Sequence, residues 1–290
     1  MKTKILKLLL PVLAMAAAAC GDSFEFGSPT HDLDEGIDLT AGTTQVLWKN
    51  KGAVYPTKRI HNFRIPGLVR TPHKLIAFCE AREETGSTNK DGGDIDLVYR
   101  VSTDDGQTWG SSQVLFDDED NTCGNACAVY TESGRLVILC CWQRTGTTEA
   151  KFKSNYFSFE ESQRYACHVV CFYSDDEGET WAGPFKWFTE NRNSDPGRYL
   201  WTSFFKTGPG HAIQLKTGQH KGRILVGCDH KYQIFDGVAV NANSEDENYY
   251  GSHVAYSDDN GETWHMLELD EELHYGNECV PVELSDGRIS

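Results

Sequence analysis

Short apolar runs, separated by polar turn residues, make up much of the chain after residue 74. Clear examples, each five to seven residues long, are the segments 75–81 (LIAFCEA), 97–101 (LVYRV), 136–142 (LVILCCW) and 168–173 (HVVCFY). Runs of this length that are rich in β-branched and aromatic residues are typical of buried β-strands. Beyond the N-terminal region no segment has a convincing amphipathic helical period, and residues 268–273 would make one helical turn at most. The pattern predicts an all-β fold.

One eight-residue motif, S-x-D-x-G-x-T-W, follows a predicted strand three times, at residues 102–109, 174–181 and 257–264. It has the chemistry of a hairpin turn, because its Gly tolerates a positive φ and its Asp can accept hydrogen bonds from backbone N–H groups within the turn. Its Thr hydroxyl can close the loop, and its Trp can pack into the core. Three copies in equivalent places favour a structural role over a binding role.

A second repeat, a turn followed by Gly-Arg and an apolar strand, occurs at residues 133–139, 221–227 and 286–290. Repeated short strands with regular turns indicate β-sheet blades arranged around an axis, which is a β-propeller. The third copy of this repeat stops at Ser290. Its last strand is either a short edge strand or, as we favour, part of an incomplete blade, because an unfinished blade leaves an exposed sheet edge.

The N-terminus has the pattern of an export signal. Three lysines precede an apolar run at residues 8–19 that is too short to span a bilayer, and small residues lead to Cys20. This is similar to a bacterial lipoprotein signal, in which the cysteine is lipidated. We expect a signal peptide at 1–19, a polar tether at 20–47 and one β-domain at 48–290. The expected location is outside the cytoplasm, either lipid-anchored to a bacterial membrane or in the periplasm or at the cell surface.

Charge and cysteine usage narrow the classes of partner. The formal net charge is −16, so no nucleic-acid partner is expected, and membrane contact is expected only through the N-terminal lipid. Most of the ten cysteines lie in apolar runs, where cysteine packs as a small hydrophobe, although export would allow some disulfides. No C-x-x-C pair or His/Cys cluster has zinc spacing, so neither a metal site nor a cofactor is predicted.

The tetrapeptide F-R-I-P at residues 63–66 sets an arginine between apolar residues, with a proline fixing the chain after it, which suits an arginine that points into a pocket. Together with the three S-x-D-x-G-x-T-W motifs (Asp boxes), it resembles the sialidase (neuraminidase) family of exo-α-sialidases. The resemblance runs from residue 48 to residue 290 and includes four further segments: 75–82 (LIAFCEAR), 90–100 (KDGGDIDLVYR), 207–215 (TGPGHAIQL) and 277–284 (NECVPVEL).

This resemblance implies a six-bladed β-propeller, of which the chain covers roughly the first four blades. It also implies a glycoside hydrolase that releases terminal sialic acids from glycoproteins, glycolipids or oligosaccharides with retention of configuration. Sialic acid carries a carboxylate on its anomeric carbon, which arginines bind through paired hydrogen bonds. Arg64 matches the first of the family's three arginines, and Arg82 is expected to line the pocket near the acid/base loop or the substrate carboxylate.

Two carboxylates are assigned catalytic roles by the same resemblance. Asp91 matches the aspartate that protonates the leaving oxygen and then activates water, with Asp94 and Asp96 as close alternatives. Glu278 matches the glutamate that takes the proton of a tyrosine nucleophile, which sialidases use because the substrate's own carboxylate would repel a carboxylate nucleophile.

Several alternatives stay open at this point. The family's second and third arginines and its tyrosine are expected after Ser290, so residues 1–290 alone are expected not to hydrolyse a sialoside. A different functional class is a non-catalytic Asp-box propeller that binds glycans or proteins. Within the enzymes, hydrolysis, transfer to another sugar and formation of an anhydro product are not distinguished, and neither is the linkage preference.

Overall fold

The structure is a computed structural model that describes residues 45–49, 54–55, 58–83, 91–146, 167–186, 199–234, 249–267 and 276–290. Cys20, the predicted signal peptide and the helical turn expected at 268–273 lie outside these ranges. The described residues form strands, turns and loops, so the all-β prediction is confirmed. Within them, no helix has the length and apolar character needed to cross a membrane.

Fifteen strands are numbered along the chain. They are β1 (Val54–Tyr55), β2 (Lys58–Arg70), β3 (Leu75–Glu83), β4 (Ile95–Ser102), β5 (Gln113–Phe116), β6 (Thr122–Tyr130), β7 (Leu136–Gln143), β8 (His168–Ser174), β9 (Ala182–Lys186), β10 (Tyr199–Thr207), β11 (Gly210–His211), β12 (Ile213–Gln214), β13 (Ile224–Ile234), β14 (Tyr249–Ser257) and β15 (His265–Met266).

Most of these strands form three antiparallel blades of four strands each. The first blade is β2–β3–β4–β5, the second is β6–β7–β8–β9 and the third is β10–β13–β14–β15. A parallel pairing of Ile95 with Thr122 joins the first two blades, and β11 pairs with β6 in parallel. In the described segment 276–290, Glu283 and Ile289 form an isolated antiparallel bridge. The number of six blades stays a prediction.

The cores lie between neighbouring blades, and strand β7 shows why its sequence is apolar at nearly every position. Its residues Leu136 and Ile138 pack in the cluster shared with the first blade, whereas Val137 and Leu139 pack in the cluster shared with the third. Because successive side chains point to opposite faces of a strand, a strand covered on both faces needs apolar residues throughout.

Each Asp box connects the third and fourth strands of a blade, and the second copy shows its bonding. Asp176 Oδ1 accepts hydrogen bonds from Ser174 Oγ at 2.7 Å and from the Thr180 amide at 2.9 Å. Asp176 Oδ2 accepts one from Thr180 Oγ1 at 2.6 Å. Gly178 has the positive φ that the motif predicts, at 82°, and the preceding Glu177 also has a positive φ, at 56°. The other two copies repeat this pattern.

The first strand of each blade is irregular near its middle. The pairing register shifts between Arg64 and Gly67 in β2, and between Gly124 and Cys127 in β6. The first strand of the third blade, β10, has a comparable shift. The irregular part of β2 lies against the neighbouring strands, since a Cβ on Gly67 would stand 3.1 Å from the carbonyl oxygen of Gly210. Bulges of this kind redirect side chains and are frequent beside functional sites.

Candidate functional site

Arg64 projects from the bulge of β2. The next residue, Ile65, has a φ of 54°, which is a rare conformation for a β-branched residue because its side chain crowds the backbone. Strain of this kind persists only where the surrounding structure enforces it, and it clusters at functional sites. The Arg64 side chain is 26% exposed, so its guanidinium is partly open to solvent.

Asp91 brings Arg64 and Arg82 together. Arg82 Nη1 donates a hydrogen bond to Asp91 Oδ1 at 2.8 Å, and Arg64 Nη1 lies 3.4 Å from the same oxygen. Arg82 is buried and Asp91 is exposed, with side-chain exposures of 6% and 67%. Three of the four residues expected in the pocket therefore meet at one carboxylate oxygen.

A buried carboxylate holds Arg82 in place. Glu80 Oε2 accepts hydrogen bonds from Arg82 Nε at 2.9 Å and Arg82 Nη2 at 2.5 Å, and Glu80 Oε1 accepts one from the amide of Asn125 at 3.0 Å. Gly124 provides the space, since a Cβ there would stand 2.1 Å from Glu80 Oε1. Burial lowers the pKa of the Arg82 guanidinium, but Glu80 and Asp91 raise it more, so the net shift is upward. Arg82 is therefore a fixed cation.

Glu80 and Asn125 were not singled out as site residues from the sequence. Glu80 stands inside an apolar strand, where a charge requires a buried partner, and this signal could have identified it. Asn125 has no such signal, because its position depends on how the blades pack. Its side-chain amide donates to the carbonyl of Thr207 at 3.1 Å, and Thr207 Oγ1 donates to the carbonyl of Asn125 at 2.6 Å. Asn125 thus connects Glu80 of the first blade to the third blade.

The two alternatives to Asp91 have different surroundings. Asp94 and Asp96 both bind Lys58 Nζ, at 3.0 Å and 3.2 Å, and their side chains are only 10% and 1% exposed. Burial and the neighbouring carboxylates raise the pKa of Asp96 to about 7, although Lys58 opposes the shift. Neither carboxylate has the exposure of Asp91, so the geometry favours Asp91 as the group that can reach a bound molecule.

Glu278 lies on the segment 276–290, which packs against the third blade. Ser252 Oγ donates a hydrogen bond to the carbonyl of Asn277 at 2.6 Å, and Cys279 Sγ lies 3.5 Å from the carbonyl oxygen of Cys228. Burial raises the pKa of the Cys127 thiol, and the charge of Glu278 adds to this effect. The Glu278 carboxylate is thus close enough to β6 to act electrostatically on the Cys127 thiol.

A cleft of about 380 Å³, lined by residues other than Arg64, Arg82 and Asp91, opens among the turns near the Asp box of the second blade. Its acidic residues are already engaged, because Glu177 accepts hydrogen bonds from Thr71 and His73, and Asp175 pairs with Arg135 at 2.7 Å. None of the residues expected to carry chemistry lines this cleft.

The described cysteines are all free thiols, and eight of the nine are buried, with Cys279 partly exposed. Burial raises the pKa of thiols such as Cys79, Cys140 and Cys228, which makes them unreactive. Among the residues that the structure describes, no group of three His, Cys, Asp or Glu side chains is placed to hold a metal ion.

Solved structures with a similar fold include sialidases and intramolecular trans-sialidases. A leech intramolecular trans-sialidase complexed with 2,7-anhydro-Neu5Ac has a TM-score of 0.59 at 16% identity, over 89% of this chain and 51% of that one. Trypanosoma rangeli sialidase in complex with sialic acid has a TM-score of 0.54 at 20% identity, over 77% of this chain and 34% of that one. This likeness confirms the propeller fold.

Curated relatives are also sialidases. A sialidase of Paraclostridium sordellii is 30% identical over 269 residues, which cover 91% of this chain and 57% of the relative. A sialidase of Micromonospora viridifaciens is 28% identical over 300 residues, covering 97% of this chain and 39% of the relative. The chain thus spans about half the length of the curated relatives that it matches. A family model described as a BNR repeat-like domain matches residues 73–290. Because this match covers most of the chain, the chain belongs to the family of BNR repeat-like domains.

Proposed function

We propose that the protein carrying this sequence is an exo-α-sialidase that releases terminal sialic acids from sialylated glycans with retention of configuration. The single observation that carries the proposal is the meeting of Arg64, Arg82 and Asp91 at one carboxylate oxygen. Two guanidinium groups, one of them fixed by a buried glutamate, form a site for a planar carboxylate. An exposed carboxylate beside them can serve as an acid or a base.

In this proposal the substrate carboxylate takes the place of Asp91 on the two arginines. In the structure Asp91 Oδ1 accepts hydrogen bonds from Arg82 Nη1 at 2.8 Å and from Arg64 Nη1 at 3.4 Å. When a substrate carboxylate binds Arg64 and Arg82, Asp91 loses these partners and gains a negative neighbour. The released Asp91 side chain can then turn toward the leaving oxygen and act as its proton donor.

Glu278 is proposed as the base that takes the proton of the tyrosine nucleophile implied by the sialidase resemblance. A tyrosine next to a carboxylate can lose its proton as it attacks the anomeric carbon, and its neutral ground state avoids repulsion by the substrate carboxylate. Asp91 then removes a proton from the water that releases the product while the tyrosine regains its proton from Glu278. Because the tyrosine and the water each invert the anomeric carbon, the overall result is retention.

The first test compares variants of the whole protein on an aryl sialoside and on sialyllactose. Asp91→Asn should lower kcat for sialyllactose by about a hundredfold or more, and should lower it much less for the aryl sialoside, whose leaving group needs little protonation. Arg64→Ala should raise KM and lower kcat/KM on both substrates, since the carboxylate contact is common to them.

The matched control is Arg70→Ala, which removes an arginine of the same strand that pairs at 2.9 Å with the exposed Asp105. It should leave both rates nearly unchanged. Sialic acid binding without turnover by a folded wild-type protein would favour the alternative of a non-catalytic glycan-binding propeller. Full activity of Arg64→Ala would exclude the proposed carboxylate site.

We also propose that the protein is exported and lipid-anchored through Cys20. This proposal is supported by the sequence that precedes Cys20, which has a lysine-rich start, then a short apolar run and then small residues. Expression in a bacterial host should give a membrane-bound form that incorporates labelled palmitate, and Cys20→Ala should abolish the label. Labelling of the Cys20→Ala variant would contradict this assignment.

A further inference from the structure

Lys58 binds an unusual number of acidic groups at the start of β2. Its ammonium nitrogen lies 3.0 Å from Asp94 Oδ1, 3.2 Å from Asp96 Oδ1 and 3.2 Å from Asp117 Oδ1. It also donates to the carbonyl oxygen of Glu119 at 3.1 Å. These partners come from the segment before β4, from β4 itself and from the turn after β5, so a single ammonium joins three parts of the first blade.

The number of carboxyl groups around Lys58 exceeds what one ammonium can balance. A side-chain hydrogen bond with Asp94 raises the pKa of Glu83 to about 6, and burial raises the pKa of Asp96 to about 7. The carboxylates of Asp94 and Asp117 add to both shifts, and Lys58 opposes them. The negative charges of Asp96, Asp117 and Asp118 also add to the effect of burial in raising the pKa of the Cys123 thiol of β6. Removal of the ammonium would therefore leave a set of mutually repelling carboxylates.

The carboxyl groups around Lys58 include residues on both sides of Asp91 along the chain. Glu83 is the last residue of β3 and Asp94 immediately precedes β4, and the Glu83 amide donates to the carbonyl oxygen of Asp94 at 3.0 Å. Thr122 Oγ1 donates to the carbonyl oxygen of Gly93 at 2.6 Å. Asp91 stands two residues before Gly93, so its backbone position depends on how firmly this end of the segment is held.

We propose that Lys58 is a positioning residue for the acid/base step, holding Asp94 and Asp96 so that Asp91 is presented to Arg64 and Arg82. The inference rests on the proposed function, in which Asp91 is the proton donor. Lys58 itself does not contact the arginine pair or Asp91 through any of the bonds described above. Its effect on catalysis passes through the peptide chain between residues 91 and 94.

The test compares Lys58→Met with Lys58→Arg and with the exposed-lysine control Lys221→Met. A positioning role predicts that Lys58→Met lowers kcat for sialyllactose by about tenfold or more, because part of the general-acid contribution is lost. The aryl sialoside, which needs little acid catalysis, should be turned over nearly as fast as by the wild type, with KM unchanged. Lys58→Arg should restore most of the rate on sialyllactose.

Hydrogen exchange on the same proteins tests the geometry without any substrate. Amides of residues 91–96 should exchange faster in Lys58→Met than in the wild type, while those of the Asp box at 174–181 should not change. If Lys58→Met does not fold, the double variant Lys58→Met/Asp96→Asn, in which one buried carboxylate is neutralised with the ammonium, takes its place.

The outcomes separate this inference from the proposed function. Unchanged exchange at 91–96 in a protein that is active would overturn the role of Lys58 alone. Equal losses of rate on both substrates would also overturn it, because they would indicate a structural role without an effect on proton donation. A folded wild-type protein with no turnover of either substrate would overturn the proposed function and this inference with it.

Discussion

Three carboxylates of the first blade differ in burial, and this difference gives each of them a distinct chemistry. Glu80 is buried, and its two oxygens accept hydrogen bonds from Arg82 and the Asn125 amide, so its carboxyl group has partners inside the sheet. Asp96 is equally buried, but it shares its one cation with other carboxylates. Asp91 is exposed and bonds to the buried Arg82 and the partly exposed Arg64. The three acids look alike in the sequence. Their neighbours determine that Glu80 fixes Arg82, that the pKa of Asp96 is raised and that Asp91 is open to solvent.

Asp96→Asn is expected to make the protein more stable at pH 8 and to have little effect at pH 4. Burial raises the pKa of Asp96 from 3.8 to about 7, so the folded state keeps a proton that the unfolded state releases above pH 4. Stability from this group is therefore lost as the pH rises from about 4 to about 7. Asparagine removes that loss, and we expect a gain of about 2 kcal/mol in the free energy of unfolding at pH 8.

Urea unfolding of the wild type and the variant at both pH values measures this effect. Asp105→Asn is the matched control, since Asp105 is exposed in a surface ion pair with Arg70 and has a positive φ of 57° that asparagine also adopts readily. It should change stability by less than about 0.5 kcal/mol at either pH. A lower stability of Asp96→Asn at pH 8 would show that the carboxylate is charged and favourably paired there.

At the scale of elements, each blade has two specialised places, the Asp-box turn and the bulge of its first strand. The Asp box closes the turn between its third and fourth strands with side-chain hydrogen bonds, and the bulge interrupts its first strand. In the second blade, the indole of Trp181 packs edge-on to Tyr99 at 5.8 Å between ring centres and so fastens the Asp box to the first blade. The Asp box is therefore a structural element that repeats in each blade, whereas the bulge of β2 presents Arg64 to the candidate site.

Thr180→Val is expected to destabilise the second blade by about 1 kcal/mol, because Asp176 Oδ2 loses the hydroxyl donor at 2.6 Å. Thr180→Ser keeps the hydroxyl and should have a smaller effect. Hydrogen bonds from the Thr180 side chain and amide lower the pKa of Asp176 to about 2, so their contribution is present above the ordinary pKa of 3.8 and is lost as the pH falls toward 2. Thermal unfolding of both variants at neutral pH measures the difference, and equal melting temperatures would contradict a bonding role for the hydroxyl.

At the scale of the whole molecule, close backbone contacts connect the last described segment to the third blade. Added Cβ atoms on Gly208 and on Gly227 would each stand 2.1 Å from the carbonyl oxygen of Cys279. Both glycines are therefore needed for the segment that carries Glu278 to approach the sheet. Two places that are distant from Glu278 in sequence, Gly208 and Gly227, thus help to determine where it lies.

Gly227→Ala is expected to displace this segment and expose Cys279, which is partly exposed in the native structure. The rate of Cys279 alkylation by iodoacetamide, followed by mass spectrometry on the folded protein, should rise by about tenfold. Gly110→Ala is the control, because its added methyl would meet only the carbonyl oxygen of Val101 at 3.4 Å. An unchanged rate in Gly227→Ala would mean that the segment does not depend on this contact.

The sequence by itself determined the strands, the turns and the repeated architecture, because short apolar runs, Gly-containing turns and Asp-box bonding act within a few residues of chain. The resemblance of local segments to the sialidase family suggested Arg64, Arg82 and Asp91 as site residues, and their roles stay predictions. The sequence did not assign Glu80, Asn125 or Lys58. Glu80 binds Arg82 locally but also binds the Asn125 amide, 45 residues away, while Asn125 and Lys58 bind groups 82 and 36 residues away along the chain. Only the packing of blades decides which buried charges meet, because burial and long-range pairing set the cost of a charge in the interior. The tertiary structure therefore decided that Asp91, and not Asp94 or Asp96, is the carboxylate that faces the arginine pair.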